Sequence, residues 1–240
     1  MKYRRSGKIA FVILSSFILV SCFSDNTETP LEVYSDAYMI KKMVGDEPMY
    51  AITFYAFGNQ MMRSGTVTEI GGSGVPINLG LNPNSIFTLW EWPSGNDFRP
   101  YPPNAVEYKF NVTVESGLSN ESIDYLNPKD ISIPVITTAA FGDNNKLIDV
   151  AWSSVTGADG FLVKVAEENG NIIYTSDGIL PTITNYTINL LAGNWTKPVE
   201  PGNTYIMEVH AFAYEADADE FYKVYNVEEI SIGTKSLPGE

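Results

Sequence analysis

Apolar residues return at every second position along several stretches of this chain, and that period restricts it to β-structure. After Pro201-Gly202-Asn203, the residues Tyr205, Met207, Val209 and Ala211 alternate with Ile206, Glu208, His210 and Phe212. Ile148, Val150 and Trp152 alternate with Asp149 and Ala151, and Phe161, Val163 and Val165 alternate with Leu162 and Lys164. Successive side chains of a strand point to opposite faces, so each set lines one face of a half-buried strand. Gly157-Ala158-Asp159-Gly160 and Asn169-Gly170-Asn171 supply turns between them. With Ile172-Ile173-Tyr174, the set Tyr186, Ile188, Leu190 and a last strand around 221–232, the chain after Thr137 reads as about seven short strands, the pattern of a sandwich. No segment carries a long helical period.

The first half is less regular but of the same kind. Tyr50–Phe57 is a strong strand ending at Gly58-Asn59. Ser64–Ile70 follows, then a turn at Gly71-Gly72-Ser73-Gly74, then a strand over Ser85–Trp92. Residues 105–115 place Tyr108, Phe110, Val112 and Val114 on one face. We read residues 33–131 as an Ig-like sandwich and 132–240 as a second one, with the boundary at Asn127-Pro128-Lys129-Asp130.

The strand containing Trp152, the stretch GADGFLVKV and the stretch PGNTYIMEVHAF together resemble a fibronectin type III domain over residues 134–233. The resemblance implies that Trp152 packs in the core and that Tyr205, after its Pro-Gly turn, closes a corner through its hydroxyl. The stretch Ala192–Val199, with Trp195, is longer than that family's usual loop, and no Arg-Gly-Asp tripeptide is present. The fold class expected is therefore all-β, with two tandem Ig-like or fibronectin type III-like β-sandwiches.

The N-terminus reads as a lipoprotein signal peptide, residues 1–21. Lys2, Arg4, Arg5 and Lys8 precede an apolar stretch, Ile9–Val20, broken only by two serines. A spanning helix needs about 20 apolar residues, so this stretch is too short to stay as an anchor. It ends in Leu19-Val20-Ser21-Cys22, which contains the chain's single cysteine. Cleavage before Cys22, with acyl chains on its sulfur and new amino group, is the expected processing. Residues 22–32 then form a polar tether from the lipid bilayer to the folded body. Tandem sandwiches behind such a signal resemble small surface lipoproteins of the Bacteroidota, which implies an outer-membrane, cell-surface location.

Charge excludes one class of partner. The formal charge is −14, and loss of the four basic residues in 1–21, which hold no acidic residue, takes it to −18. That field repels nucleic acid.

Catalytic chemistry finds no support. His210 is the only histidine and reads as a surface residue beside Glu208. No His-Glu-x-x-His zinc motif and no Gly-x-Ser-x-Gly elbow occurs, and Gly71-Gly72-Ser73-Gly74 lacks the Lys-Ser/Thr of a phosphate loop. Within Glu215–Glu220, an extended chain places Glu215, Asp217 and Asp219 on one side. The run lacks the glycine and distal glutamate of an EF-hand and reads as a solvated hairpin tip. No metal and no cofactor is expected.

The stretch LWEWPSGNDFRPY is the candidate binding site. Trp90 and Trp92 lie two apart and share a face if strand-like. Pro93 and Pro100 bracket turn residues, leaving an aromatic loop with Phe98 and Tyr101 flanked by Glu91, Asn96, Asp97 and Arg99. Flat rings meet the C–H faces of sugars, while amides, carboxylates and guanidinium meet their hydroxyls. The competing reading places both tryptophans in the first domain's core or in its contact with the second. The function expected is a non-catalytic surface module binding a glycan or another extracellular ligand. The alternative is a structural or assembly component of a surface complex or fimbria-like structure. A subunit that assembles by strand exchange needs a displaceable edge strand, and Leu31–Met43 is the stretch to examine for one.

Overall fold

The computed structural model describes residues 30–142, 146–200, 202–216 and 226–238. Cys22 and the rest of the expected signal and tether up to residue 29, residues 217–220 of the expected acidic tip Glu215–Glu220, and residues 221–225 of the expected last strand lie outside the described residues. Residues from Leu31 onward form one compact unit. Apart from one 3-10 turn, Gly95–Asp97, its regular elements are strands, and among the described residues no helix is long and apolar enough to cross a membrane.

The strands of the first half are β1 (Val33–Val44), β2 (Glu47–Gly58), β3 (Met62–Glu69), β4 (Ile77–Asn82), β5 (Ser85–Glu91), β6 (Val106–Val114) and β7 (Ser119–Leu126). Those of the second half are β8 (Ile136–Gly142), β9 (Leu147–Trp152), β10 (Gly160–Glu167), β11 (Ile172–Thr175), β12 (Asn185–Asn189), β13 (Tyr205–Tyr214) and β14 (Val227–Leu237). In the second half the ribbon β12-β9-β8 faces the ribbon β11-β10-β13-β14. The alternating sets meet between them: Ile148, Val150, Trp152, Phe161, Val163, Val165, Ile188, Met207 and Val209 all lie in one core. Trp152 stands edge-on to Phe161 with centroids 5.4 Å apart. The Tyr205 hydroxyl accepts from the Glu200 backbone N–H at 2.7 Å, the corner that the resemblance implies. The long Ala192–Val199 stretch folds back on this core. Trp195 packs on Tyr174, centroids 4.7 Å apart, and its Nε1 donates to the Asn189 carbonyl at 3.0 Å.

In the first half Tyr108, Phe110, Val112 and Val114 pack with Ala37, Met39, Phe54, Leu79 and Leu89 into a separate core. The strands run β1-β2-β5-β4-β3-β6-β7 and curl until β7 returns to β1, where the Asp124 carboxylate accepts the Ala37 N–H at 2.8 Å. This is an all-β protein with sandwich-like sheets.

The two halves share one sheet. β1 pairs with β14 in parallel, Met39 to Lys42 opposite Glu229 to Ile232, and this joins both ribbons into an 11-stranded sheet. β1 also pairs with β2 along its full length. The stretch named for strand exchange, Leu31–Met43, is therefore paired with β2 on one side from Val33 onward and with β14 on the other over Met39–Lys42. Removing it would break two ladders, so it is not a displaceable edge.

The segment after β7 crosses the inner face of this seam. Lys41 Nζ donates to the Ile131 carbonyl at 3.0 Å and pairs with Asp130 at 2.6 Å. Fully buried Glu229 accepts the Ile131 N–H at 3.2 Å, and Ser231 Oγ donates to the same residue's carbonyl at 3.1 Å. Such buried polar groups are tolerable only when their partners are present.

Candidate functional site

Partners across a ladder share a face, so the registers define what the long sheet presents on the side away from its two cores. Lys164 pairs with Glu208, and Glu208 with Thr234. Leu162 pairs with His210, His210 with Ile232, and Ile232 with Lys42. Ile230 pairs with Ile40 and Ile40 with Ala51, while Tyr55 pairs with Trp90. Polar and apolar side chains from both halves thus share one face of the sheet across β10, β13, β14, β1, β2 and β5.

Above the middle of that face sits Phe98. The chain leaves β5, makes the 3-10 turn and returns alongside β2, where Tyr50 and Arg99 exchange two backbone hydrogen bonds of 2.8 Å. This drives the Phe98 ring onto Ile40, Ala51 and Ile232, a small third core. Burial of a ring of this size stabilises by about 1.5–3 kcal/mol. Lys42 Nζ lies 4.1 Å from the Phe98 centroid, within cation–π range.

Beside this core opens a trough of about 520 Å³ lined by Lys42, Trp90, Trp92, Lys164, Glu208 and His210, among others. Trp92 is 42% exposed and Trp90 is half-buried. Their ring centroids are 6.3 Å apart and their planes tilted by 45°. Neither ring belongs to a core, and both line the trough, as their spacing of two suggests.

The trough has a polar end. His210 Nε2 lies 2.7 Å from Glu208 Oε2. Burial, and then the nearby Lys164 charge, push the imidazole down to about 4, so near neutrality the pair is a neutral N–H donating to a carboxylate rather than an ion pair. The acceptor fixes the Nε2–H tautomer. Burial also lowers Lys164, against the opposing pull of Glu208. Glu208 is held below the usual carboxylate range because hydrogen bonding and charge from His210, Lys164 and Lys42 outweigh its own burial, the largest single influence. The expectation of a surface histidine is thus corrected. His210 is only 3% exposed, because the first half covers the face of β13 that an isolated sandwich would leave in water.

The seven residues expected to form one aromatic loop divide between two sides. Trp90, Trp92 and Phe98 line the trough. Asp97, Arg99 and Tyr101 line a different hollow of about 580 Å³, with Tyr50, Glu91 and Tyr108. Asp97 accepts from Ser94 N at 2.8 Å and from Ser94 Oγ at 2.6 Å, and these bonds hold its carboxyl below the usual range. Arg99 Nη1 donates to the carbonyls of Asn96 and Phe98. These groups shape the turn, while Asn96 and Tyr101 are exposed. Sequence reasoning missed Lys42, Lys164, Glu208 and His210 as neighbours of the tryptophans. The available signal was the pair Glu208 and His210 on one face of a strand whose other face is wholly apolar.

The arrangement defines a class: an all-β protein of joined sandwiches with an aromatic, partly cationic trough on their common sheet. No protein-family model matches the chain, and no curated protein matches it. Solved structures similar to it include a two-domain fibronectin type III segment from chicken tenascin, at 13% identity over 78% of this chain and 91% of that one, with a TM-score of 0.26. The BSP domain of a biofilm associated protein is similar at 9% identity, over 90% of this chain and 53% of that one, with a TM-score of 0.28. A structure of a 1.5-MDa bacterial ice-binding adhesin is similar at 15% identity, over 88% of this chain and 65% of that one, with a TM-score of 0.26.

Proposed function

We propose that this chain is a non-catalytic lipoprotein, anchored through acylated Cys22 to the outer membrane and facing the cell exterior, and that its trough binds a glycan. The observation that carries the binding role is the Trp90–Trp92 pair. Two large rings line an open trough, one of them two-fifths exposed, although a core lies on the opposite face of the same sheet. A ring left in water forgoes burial free energy, so a pair with one ring exposed beside convergent hydrogen-bonding groups favours a ligand. The rings supply flat apolar faces for sugar C–H groups. Lys42, Lys164 and the carboxylate of Glu208 supply donors and acceptors for hydroxyls.

Affinity electrophoresis of the full chain through gels containing polysaccharides tests the binding role. Retardation is expected in at least one gel, and Trp90→Ala and Trp92→Ala each weaken it about tenfold, the effect of truncating a buried aromatic anchor. Free migration through every gel, or retardation indifferent to both substitutions, removes the glycan reading. The mass of the product from native membranes tests the anchor, and an unmodified Cys22 sulfur removes it. The assembly reading draws no support from β1, which is interior to the sheet.

A further inference from the structure

Outside the trough, three carboxylates from distant parts of the chain converge. Asp36 lies on β1, Asp124 on β7, and Glu215 follows β13 directly. One oxygen from each lies within 4.8 Å of the others. Hydrogen bonds to other residues hold each of them in place. Asp36 Oδ2 accepts the Val227 N–H at 2.9 Å, Asp124 Oδ2 accepts the Ala37 N–H at 2.8 Å, and the Glu215 N–H donates to the Asn226 carbonyl at 3.0 Å.

A second observation singles this cluster out from other acidic groups. Asp36 is 3% exposed, and its other oxygen, Oδ1, is buried with no hydrogen-bond partner among the described residues. Neither Asp36 nor Asp124 has a salt bridge among the described residues. A buried carboxylate oxygen without a partner is strongly unfavourable, and nearby like charges add to the penalty. Burial, then the charge of Asp124, pushes Asp36 well above the usual carboxylate range, and burial pushes Asp124 up. A neighbouring cation would relieve all of this at once.

We propose that Asp36, Asp124 and Glu215 bind one calcium ion. Two oxygens each about 2.4 Å from the same ion are at most about 4.8 Å apart, so the observed spacing lets all three carboxylates share it. Calcium takes six to eight oxygens in flexible geometry, and water or backbone carbonyls complete the shell. Magnesium demands a tighter octahedron and retains more water, so three protein carboxylates favour calcium. The ion ties β1 and β7, where the first sandwich closes on itself, to the start of the β13–β14 connection of the second half. It shares no residue with the trough, so this site stands independently of the glycan reading.

Thermal unfolding of the full chain, freed of metal by a chelator and then titrated with calcium, tests the proposal. At about a hundredfold excess over Kd the midpoint rises by about 5–10 °C and saturates, with a smaller rise in magnesium. Asp36→Asn and Asp124→Asn each remove one repelling charge. Both variants unfold at or above the calcium-free temperature of the parent, and neither responds to calcium. Terbium bound to the parent is sensitised by tyrosine, with Tyr38 close enough to feel the Asp36 charge, and calcium displaces it. The displacement decides the question if a variant does not fold. The proposal is overturned if the parent shows neither a thermal response nor terbium displacement. A response retained in both variants, the mark of diffuse binding to an acidic surface, overturns it too, and a response to magnesium equal to that of calcium overturns the choice of ion.

Discussion

A Cβ placed on Gly233 would stand 1.9 Å from the carbonyl oxygen of Pro134. Gly233 faces inward from β14, and Pro134 belongs to the segment that runs from the first half into the second. The two backbones touch where any larger residue would hold them apart. This contact lies beside the Lys41, Glu229 and Ser231 bonds that pin the same segment.

Gly233→Ala therefore forces backbone, not a side chain, to move. The expected cost is about 2–3 kcal/mol, at the upper end for overpacking, which lowers the unfolding midpoint by about 4–12 °C in a protein of this size. Gly80→Ala is the control, since its nearest neighbour there is a carbonyl oxygen at 3.8 Å. Calorimetry that shows the two variants equal would mean that the seam is looser than the geometry says.

The buried histidine makes stability depend on acid. His210 titrates at about 4 when folded and near 6.5 when unfolded. Between these values the unfolded chain binds the proton and the folded one does not. The stabilising contribution is complete above pH 6.5 and is lost as pH falls from 6.5 to 4. Glu208, held low, adds a loss in the same direction, whereas Asp36, Asp124 and Glu229, held high, gain stability as pH falls. Comparison with His210→Gln isolates the imidazole: from pH 7 to pH 5 the parent should lose about 2 kcal/mol relative to the variant. His210 is the only histidine, so its ring resonances report the titration directly, and a midpoint between pH 6 and 7 would refute the burial argument.

Tyr205→Phe removes the corner bond and leaves the ring in place. The Glu200 N–H then loses its acceptor at 2.7 Å. A cost of about 1 kcal/mol, seen as a midpoint lower by about 2–4 °C, is expected. No change would mean that water replaces the hydroxyl without penalty.

The strands of both cores were legible because their information is local. The set at Tyr205, Met207, Val209 and Ala211 reads as one buried face from spacing alone, and all four lie in the second core. Tyr108, Phe110, Val112 and Val114 behave alike in the first. The candidate site was legible only in part. The spacing of Trp90 and Trp92 implied only a shared face for the two rings, and nothing between residues 89 and 101 shows that Phe98 will turn onto Ile40, Ala51 and Ile232. β14 carried the missing signal in an inverted form. Its inward residues are Glu229, Ser231 and Gly233, while Ile230 and Ile232 point away from its own sandwich. An apolar stripe on the wrong face of a last strand marks a surface covered by something else.

By itself, then, the sequence determined the all-β class, the turns, and which side chains of most strands face a core, since period two and Gly-Pro punctuation act over a few residues. Tertiary structure alone decided that β1 lies beside β14, that His210 is dry, that the tryptophans share a trough with Lys42 and Lys164, and that Asp36 meets Asp124 and Glu215. Those meetings join residues as far apart as Asp36 and Val227, 191 positions distant. Local pattern says that a strand has an edge to pair, and the packed chain selects the partner by burying both apolar faces and satisfying both rows of backbone hydrogen bonds.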